Sequence, residues 1–247
     1  MRFILAKDAT DVSQRAYDFI RKSILQNPSL ILGLATGSTP LELYKLMISD
    51  HKRGNLSYKK VKTINLDEYV GLPEGHPQSY RYFMDSNLFN HIDIDKNNTK
   101  VPKGNAINLD KECEEYSSFV STNRPDIQIL GIGSNGHIAF NEPGTSFNSS
   151  THIVKLKDST IKDNARFFEN ESEVPQQAIT MGIKDIMSAK MIILLATGSS
   201  KAEALYRAIK GPITEDCPAS ILQTHPNTVI LGDHTSSFWI RVNREPE

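Results

Sequence analysis

The stretch GIGSNGHIAFNEPGTS (131–146) gathers residue types that can move protons. Gly131, Gly133 and Gly136 allow a turn tight enough to set backbone beside a ligand. His137 follows, and histidine is the side chain that exchanges protons near neutral pH. Glu142, five residues on, is a carboxylate able to fix an imidazole tautomer, and Asn135 stands two residues before His137. A lone histidine is most often structural; one placed after a Gly-rich turn at the end of an apolar run is a candidate acid–base. A second interruption of an apolar run is INLDEYVGL (64–72). Successive strand residues point to opposite faces, so only one of Asp67 and Glu68 can face a cleft. That carboxylate is either a turn cap or a general base, since burying it without a partner is costly.

A third chemistry is anion binding. The pentapeptide LATGS occurs at 34–38 and again at 195–199, each time closing an apolar run and opening a helix-like stretch. Gly37 and Gly198 permit tight turns, and Thr36, Ser38 and Thr39 add hydroxyls. The helix N-terminus that follows favours an anion, although Ser and Thr also simply cap helices. After the second copy Lys201 falls in a first helical turn, where a cation opposes the helix dipole; an anionic ligand reverses that sign. One phosphate shared by both turns, with Lys201 reaching it from the second, is the expectation. Neither turn has the GxxxxGK[ST] pattern, and no GxGxxG occurs, so a nucleotide is not indicated. An anion site, a histidine with a carboxylate and a separate carboxylate suit proton transfer on a small phosphorylated metabolite. A sugar phosphate fits, because ring opening and proton movement beside the carbonyl each need an acid–base group.

Positioning these groups requires strands that end at one edge. The runs 29–36, 61–69, 126–133, 191–198 and 228–233 are apolar, β-branched-rich and without clean alternation, as in strands buried on both faces of a parallel sheet. Amphipathic stretches separate them: 11–26, 40–54, 79–91, 110–121 and 200–211 read as helices. The alternation predicts a single α/β domain over 1–247, a sandwich with a mostly parallel central sheet and helices on both faces. Ligands in such sheets gather at the carboxyl ends of the strands. The polar segment 149–175, with one short strand-like run, is either a surface excursion or a lid.

Composition narrows the class. Lys and Arg number 28 against 29 Asp and Glu, for a net charge of −1, and no block of like charge marks a nucleic-acid partner. No apolar run is long enough to span a membrane. The N-terminal apolar run is too short for a signal peptide and reads as a first strand. Cys113 and Cys217 lack metal-ligand spacing and are expected as reduced thiols in a cytoplasmic protein.

The strings LGLATGSTPLELY, NLDEYVGL, HPQSYRYFM, GIGSNGHIAFNEPG, NARFF and TMGIKDIMSAK…ILLATGSSKAEAL resemble the glucosamine-6-phosphate deaminase family over nearly the whole chain. The resemblance implies a modified Rossmann-like α/β fold. It implies conversion of D-glucosamine 6-phosphate and water to D-fructose 6-phosphate and ammonia, without metal or organic cofactor. By motif, Asp67 takes the C2 proton, and His137 opens the pyranose ring, oriented by Asn135 and Glu142. Thr36, Gly37, Ser38 and Thr39, with Lys201 and Arg166, bind the phosphate, and Arg166 falls in the lid segment. Some members carry Asp where this chain has Asn135; an amide still accepts from an imidazole N–H but adds no charge. Hexameric members are activated by N-acetylglucosamine 6-phosphate through basic residues in the segment after FNEP; the matching positions here, around His152 and Val154, are not the Arg and Lys that the resemblance leads one to expect. The expectation is therefore no such activation, and a monomer or small homo-oligomer. The lactonases of related fold share a Gly-His-like turn but lack AFNEPG and NLDEYVGL. Sugar-phosphate-sensing regulators usually place a helix-turn-helix ahead of the sensor, where this chain starts with a strand.

Overall fold

The computed structural model describes residues 1–156, 170 and 173–243. The apolar runs form seven parallel strands: β1 (Arg2–Leu5), β2 (Ile31–Leu34), β3 (Lys62–Asn65), β5 (Thr99–Lys100), β6 (Ile127–Gly131), β9 (Ile192–Ala196) and β10 (Thr228–Gly232). Their order is β1-β10-β9-β6-β2-β3-β5, and every neighbouring pair is parallel. The lack of polar alternation is explained by two cores. Ile193 and Leu195 of β9 pack into one, and Ile192 and Leu194, facing the other way, pack into the second. Helices α1 (Ala9–Gln26) and α2 (Leu41–Lys52) cover the first face with Val12, Ile20, Leu43 and Met47. Helices α4 (Leu109–Thr122) and α6 (Ala202–Lys210) cover the second with Tyr116, Val120, Leu205 and Ala208.

Helix boundaries follow local chemistry. The Asp8 carboxylate caps α1 by accepting the Asp11 N–H, and Asn108 caps α4 by accepting the Lys111 N–H. α2 ends before Gly54, whose φ of +76° is the left-handed geometry glycine tolerates. The expected helix over 79–91 is shorter: α3 (Tyr80–Asn87) stops at Leu88, whose backbone leaves the helical region, and Phe89–His91 continue as a 3₁₀ turn.

One expectation changes. The run 61–69 is not one strand. It divides at Leu66 into β3 and β4 (Asp67–Tyr69), which belongs to a separate antiparallel sheet β4-β8-β7 with β8 (Gln177–Thr180) and β7 (His152–Lys155). The main chain turns there because Leu66 C=O accepts the Met181 N–H at 2.7 Å, and Asp67 then pairs with Thr180. The short strand-like run expected within 149–175 is β7. Thr151 donates its N–H and hydroxyl at 2.6 and 2.8 Å to the carboxylate of Asp185, which lies in α5 (Ile183–Ile186), and His152–Lys155 are paired in β7. Most of the remainder of that segment lies outside the described residues. The last described helix is α7 (Phe238–Val242).

The chain visits β2, β3 and β5 toward one side of the sheet and β6, β9 and β10 toward the other. The direction reverses between β2 and β6, and a crevice opens at such a switch point outside the carboxyl ends of the strands.

Candidate active site

A cleft of about 350 Å³ occupies that switch point. Its lining includes Thr36–Thr39 after β2, Leu66 and Asp67 after β3, Gly131–Ser134 and His137 after β6, and Lys201. Tyr80, Ala139 and Phe140 complete the wall. Seven of the expected site residues therefore meet here: Thr36, Gly37, Ser38, Thr39, Asp67, His137 and Lys201.

The turn after β2 lines the cleft. Gly37 has φ +84°, and the Tyr44 hydroxyl fixes the turn by donating to Ala35 C=O at 2.5 Å. α2 is preceded by Pro40 at its N-cap, which makes no side-chain cap hydrogen bond. The second LATGS copy reaches the cleft through Lys201, the residue expected to extend from that turn. Only Lys201 from its neighbourhood lines the cleft; the turn itself is held from behind. Asp233 accepts the Gly198 N–H at 3.0 Å, the Ser236 N–H at 2.7 Å and the Thr235 hydroxyl at 2.9 Å. Gly198 has φ +88°. The two copies thus flank the end of β6 from β2 and β9, one lining the cleft and the other carrying Lys201 to it. Arg166 lies outside the described residues.

Asp67 and Glu68 divide as strand geometry requires. Asp67 faces the cleft, buried; burial, and secondarily the Glu68 charge, push its carboxyl up to about 8. Glu68 turns away to the N-terminus of α3, where it accepts the N–H groups of Tyr69, Tyr80 and Arg81 at 2.8, 2.8 and 2.9 Å. Burial still raises it to about 7 against those bonds. The alternatives of cap and cleft carboxylate are thus both present, on adjacent residues.

The His137 turn closes on itself. Gly133 N–H donates to His137 C=O at 2.9 Å and Gly136 N–H to Gly133 C=O at 3.0 Å. A β-carbon on Gly133 would overlap the imidazole, and one on Gly136 (φ +92°) would approach Cys217 Sγ to 2.7 Å. His137 Nδ1 lies 3.5 Å from Glu142 Oε1. Asn135 Nδ2 donates to Glu142 Oε2 at 2.7 Å. The amide oxygen accepts the main-chain N–H of His137 at 3.1 Å, not the imidazole N–H as expected. The reason is reach: two residues before His137, the Asn135 side chain folds back onto the backbone as an Asx turn. Asn135 and Glu142 stand behind His137, outside the cleft lining.

Sequence reasoning missed the aromatic wall. Tyr80 stacks on Phe140 with ring centres 6.2 Å apart and meets Tyr69 at 4.7 Å. Its hydroxyl bonds Thr36 and Tyr69, and burial raises its pKa well above the usual phenol value. The signal was local: Ser79 caps α3 by accepting the Tyr82 N–H, which places Tyr80 at the helix start beside Glu68. Among the described residues, no three His, Cys, Asp or Glu side chains converge as a metal site.

Residues 6–231 match the model of the family described as glucosamine-6-phosphate isomerases/6-phosphogluconolactonase. The chain belongs to this isomerase/lactonase family. Within the family, a glucosamine-6-phosphate deaminase of Halalkalibacterium halodurans is 51% identical over 94% of this chain and 95% of its own. One of Clostridium botulinum (strain Langeland) is 49% identical over 98% and 100%. The solved structure of a monomeric glucosamine-6-phosphate deaminase superposes with a TM-score of 0.93 at 44% identity, covering 96% of this chain and 99% of that one. A 6-phosphogluconolactonase of Trypanosoma cruzi has a TM-score of 0.77 at 20% identity, over 96% of each chain, and shares the fold.

Proposed function

We propose that the protein converts D-glucosamine 6-phosphate and water to D-fructose 6-phosphate and ammonia. The observation that carries this reading is the placing of Asp67 and His137 in one cleft, beside a turn and a lysine suited to phosphate. The identity of 44–51% to proteins named as this deaminase supports it over the lactonase activity, for which only the fold is shared.

The phosphate sits on the Thr36–Thr39 turn with Lys201. His137 exchanges a proton with the ring oxygen as the pyranose opens. Its Nδ1 is turned to Glu142, which leaves Nε2 for the sugar and stabilises the imidazolium that forms. Asp67 then takes the C2 proton. The resulting enolamine regains a proton at C1, and water adds to the C2 iminium to release ammonia and the ketose. No organic cofactor or metal is assigned a role. This places the protein in amino-sugar breakdown, and its two buried free thiols fit a reducing cytoplasm.

The test is ammonia and fructose 6-phosphate release from glucosamine 6-phosphate, with 6-phosphogluconolactone hydrolysis in parallel. Stoichiometric release that Asp67→Asn abolishes supports the reading. Lactone hydrolysis without ammonia would transfer the protein to the other activity of its family.

A further inference from the structure

The turn that carries His137 is held in a conformation its own backbone does not favour. Ala139 lines the cleft at φ +51° and is the one non-glycine residue with positive φ among the described residues. Something outside residues 137–140 must impose that shape.

Asn141 is fully buried and reaches both sides of the turn. Its Nδ2 donates to Ile138 C=O at 3.0 Å and to Met181 C=O at 2.8 Å. Met181 N–H donates in turn to Leu66 C=O, and Leu66 precedes Asp67. A second tie runs parallel: Phe140 N–H donates to the Thr180 hydroxyl at 3.2 Å, and Thr180 is the β8 partner of Asp67. The loop bearing His137 follows the seven-stranded sheet, and Asp67 opens the three-stranded one. The Asn141 amide and the Thr180 hydroxyl join them. Both neighbouring groups of that amide are carbonyls, so its nitrogen must face them, and Oδ1 is left without a hydrogen-bond partner.

We propose that Asn141 is a positioning residue that bolts the His137 turn to the Asp67 strand and fixes the relative geometry of the two proton-transfer groups. The kinetic readout rests on the deaminase reading above; the structural readout does not.

Asn141→Leu tests it. Leucine fills a similar volume, Ile138 C=O keeps the main-chain N–H of residue 141, and Met181 C=O keeps the Thr180 hydroxyl at 3.5 Å. The expected result is a kcat lower by about 100-fold with KM within roughly 3-fold, because the phosphate turn and Lys201 are not part of the tie. Amide hydrogen exchange in 137–142 accelerates, while Tm stays near that of the wild type. Thr180→Val, which is isosteric, gives a smaller loss of kcat with the same unchanged KM. Unchanged kcat and exchange in both variants would overturn the proposal. So would joint loss of kcat, KM and Tm, which marks a merely structural residue. Wild-type turnover tests the deaminase reading and exchange tests the bolt, so the two fail separately.

Discussion

Asp67 shows how burial sets a residue's chemistry. A carboxyl held at about 8 when folded, against 3.8 as its ordinary value, keeps a proton that the unfolded chain has released. Its contribution to stability is complete below about pH 4 and is lost as pH rises toward 8. Asp67→Asn removes that loss. The variant should therefore match the wild type in Tm near pH 4 and exceed it at pH 8–9, by about 2–4 °C per kcal/mol recovered; thermal melts across pH check this. The same substitution should lower kcat by roughly 10²–10⁴-fold, the range of a positioned base. In the wild type, kcat/KM reports the free enzyme and should climb through pH about 8. A bound substrate ammonium favours the carboxylate, so the rise of kcat itself should fall at lower pH. A kcat/KM flat between pH 6 and 9 would remove Asp67 as the base.

At the scale of elements, turns place groups that strands only aim. The turn after β9 brings Lys201 to the cleft because Asp233 holds Gly198 from behind. Lys201→Ala should raise KM for the sugar phosphate by about 10- to 100-fold, as expected for one hydrogen bond to a charged group. Asp233→Asn should raise KM in the same direction by less, with kcat little changed; steady-state kinetics separates the two constants. The turn after β6 obeys the opposite signature. Gly133→Ala puts a methyl group where the imidazole lies, so His137 must shift and kcat should fall by about 100-fold at nearly constant KM. A KM effect from Gly133→Ala, or a pure kcat effect from Lys201→Ala, would reverse the assignment of these turns.

For the whole molecule, the open question is regulation. His152 and Val154 lie in β7, paired to β8, and His152 Nδ1 is bonded to Ser150 C=O at 2.8 Å. We predict no activation by N-acetylglucosamine 6-phosphate and a monomer or small oligomer. Sedimentation and initial rates with and without that ligand check both points. A sigmoidal rate curve that the ligand straightens would defeat the expectation.

Much of this was legible in the amino acids. Apolar runs without alternation meant strands buried on both faces, and Gly37, Gly133, Gly136 and Gly198 marked the turns, because both signals are local in sequence. The types of Asp67, His137, Glu142 and Lys201 fixed the available chemistry for the same reason. Tertiary structure alone decided the rest. The split at Leu66 depends on β8, more than a hundred residues away, and so did which of Asp67 and Glu68 faces the cleft. The elevated Asp67 carboxyl is a product of burial, which no residue carries by itself. Asn135 was expected on the imidazole but bonds the backbone and Glu142, since side-chain reach depends on how the turn folds. The role of Asn141 was invisible for the same physical reason: a hydrogen bond between two sheets exists only once both have formed.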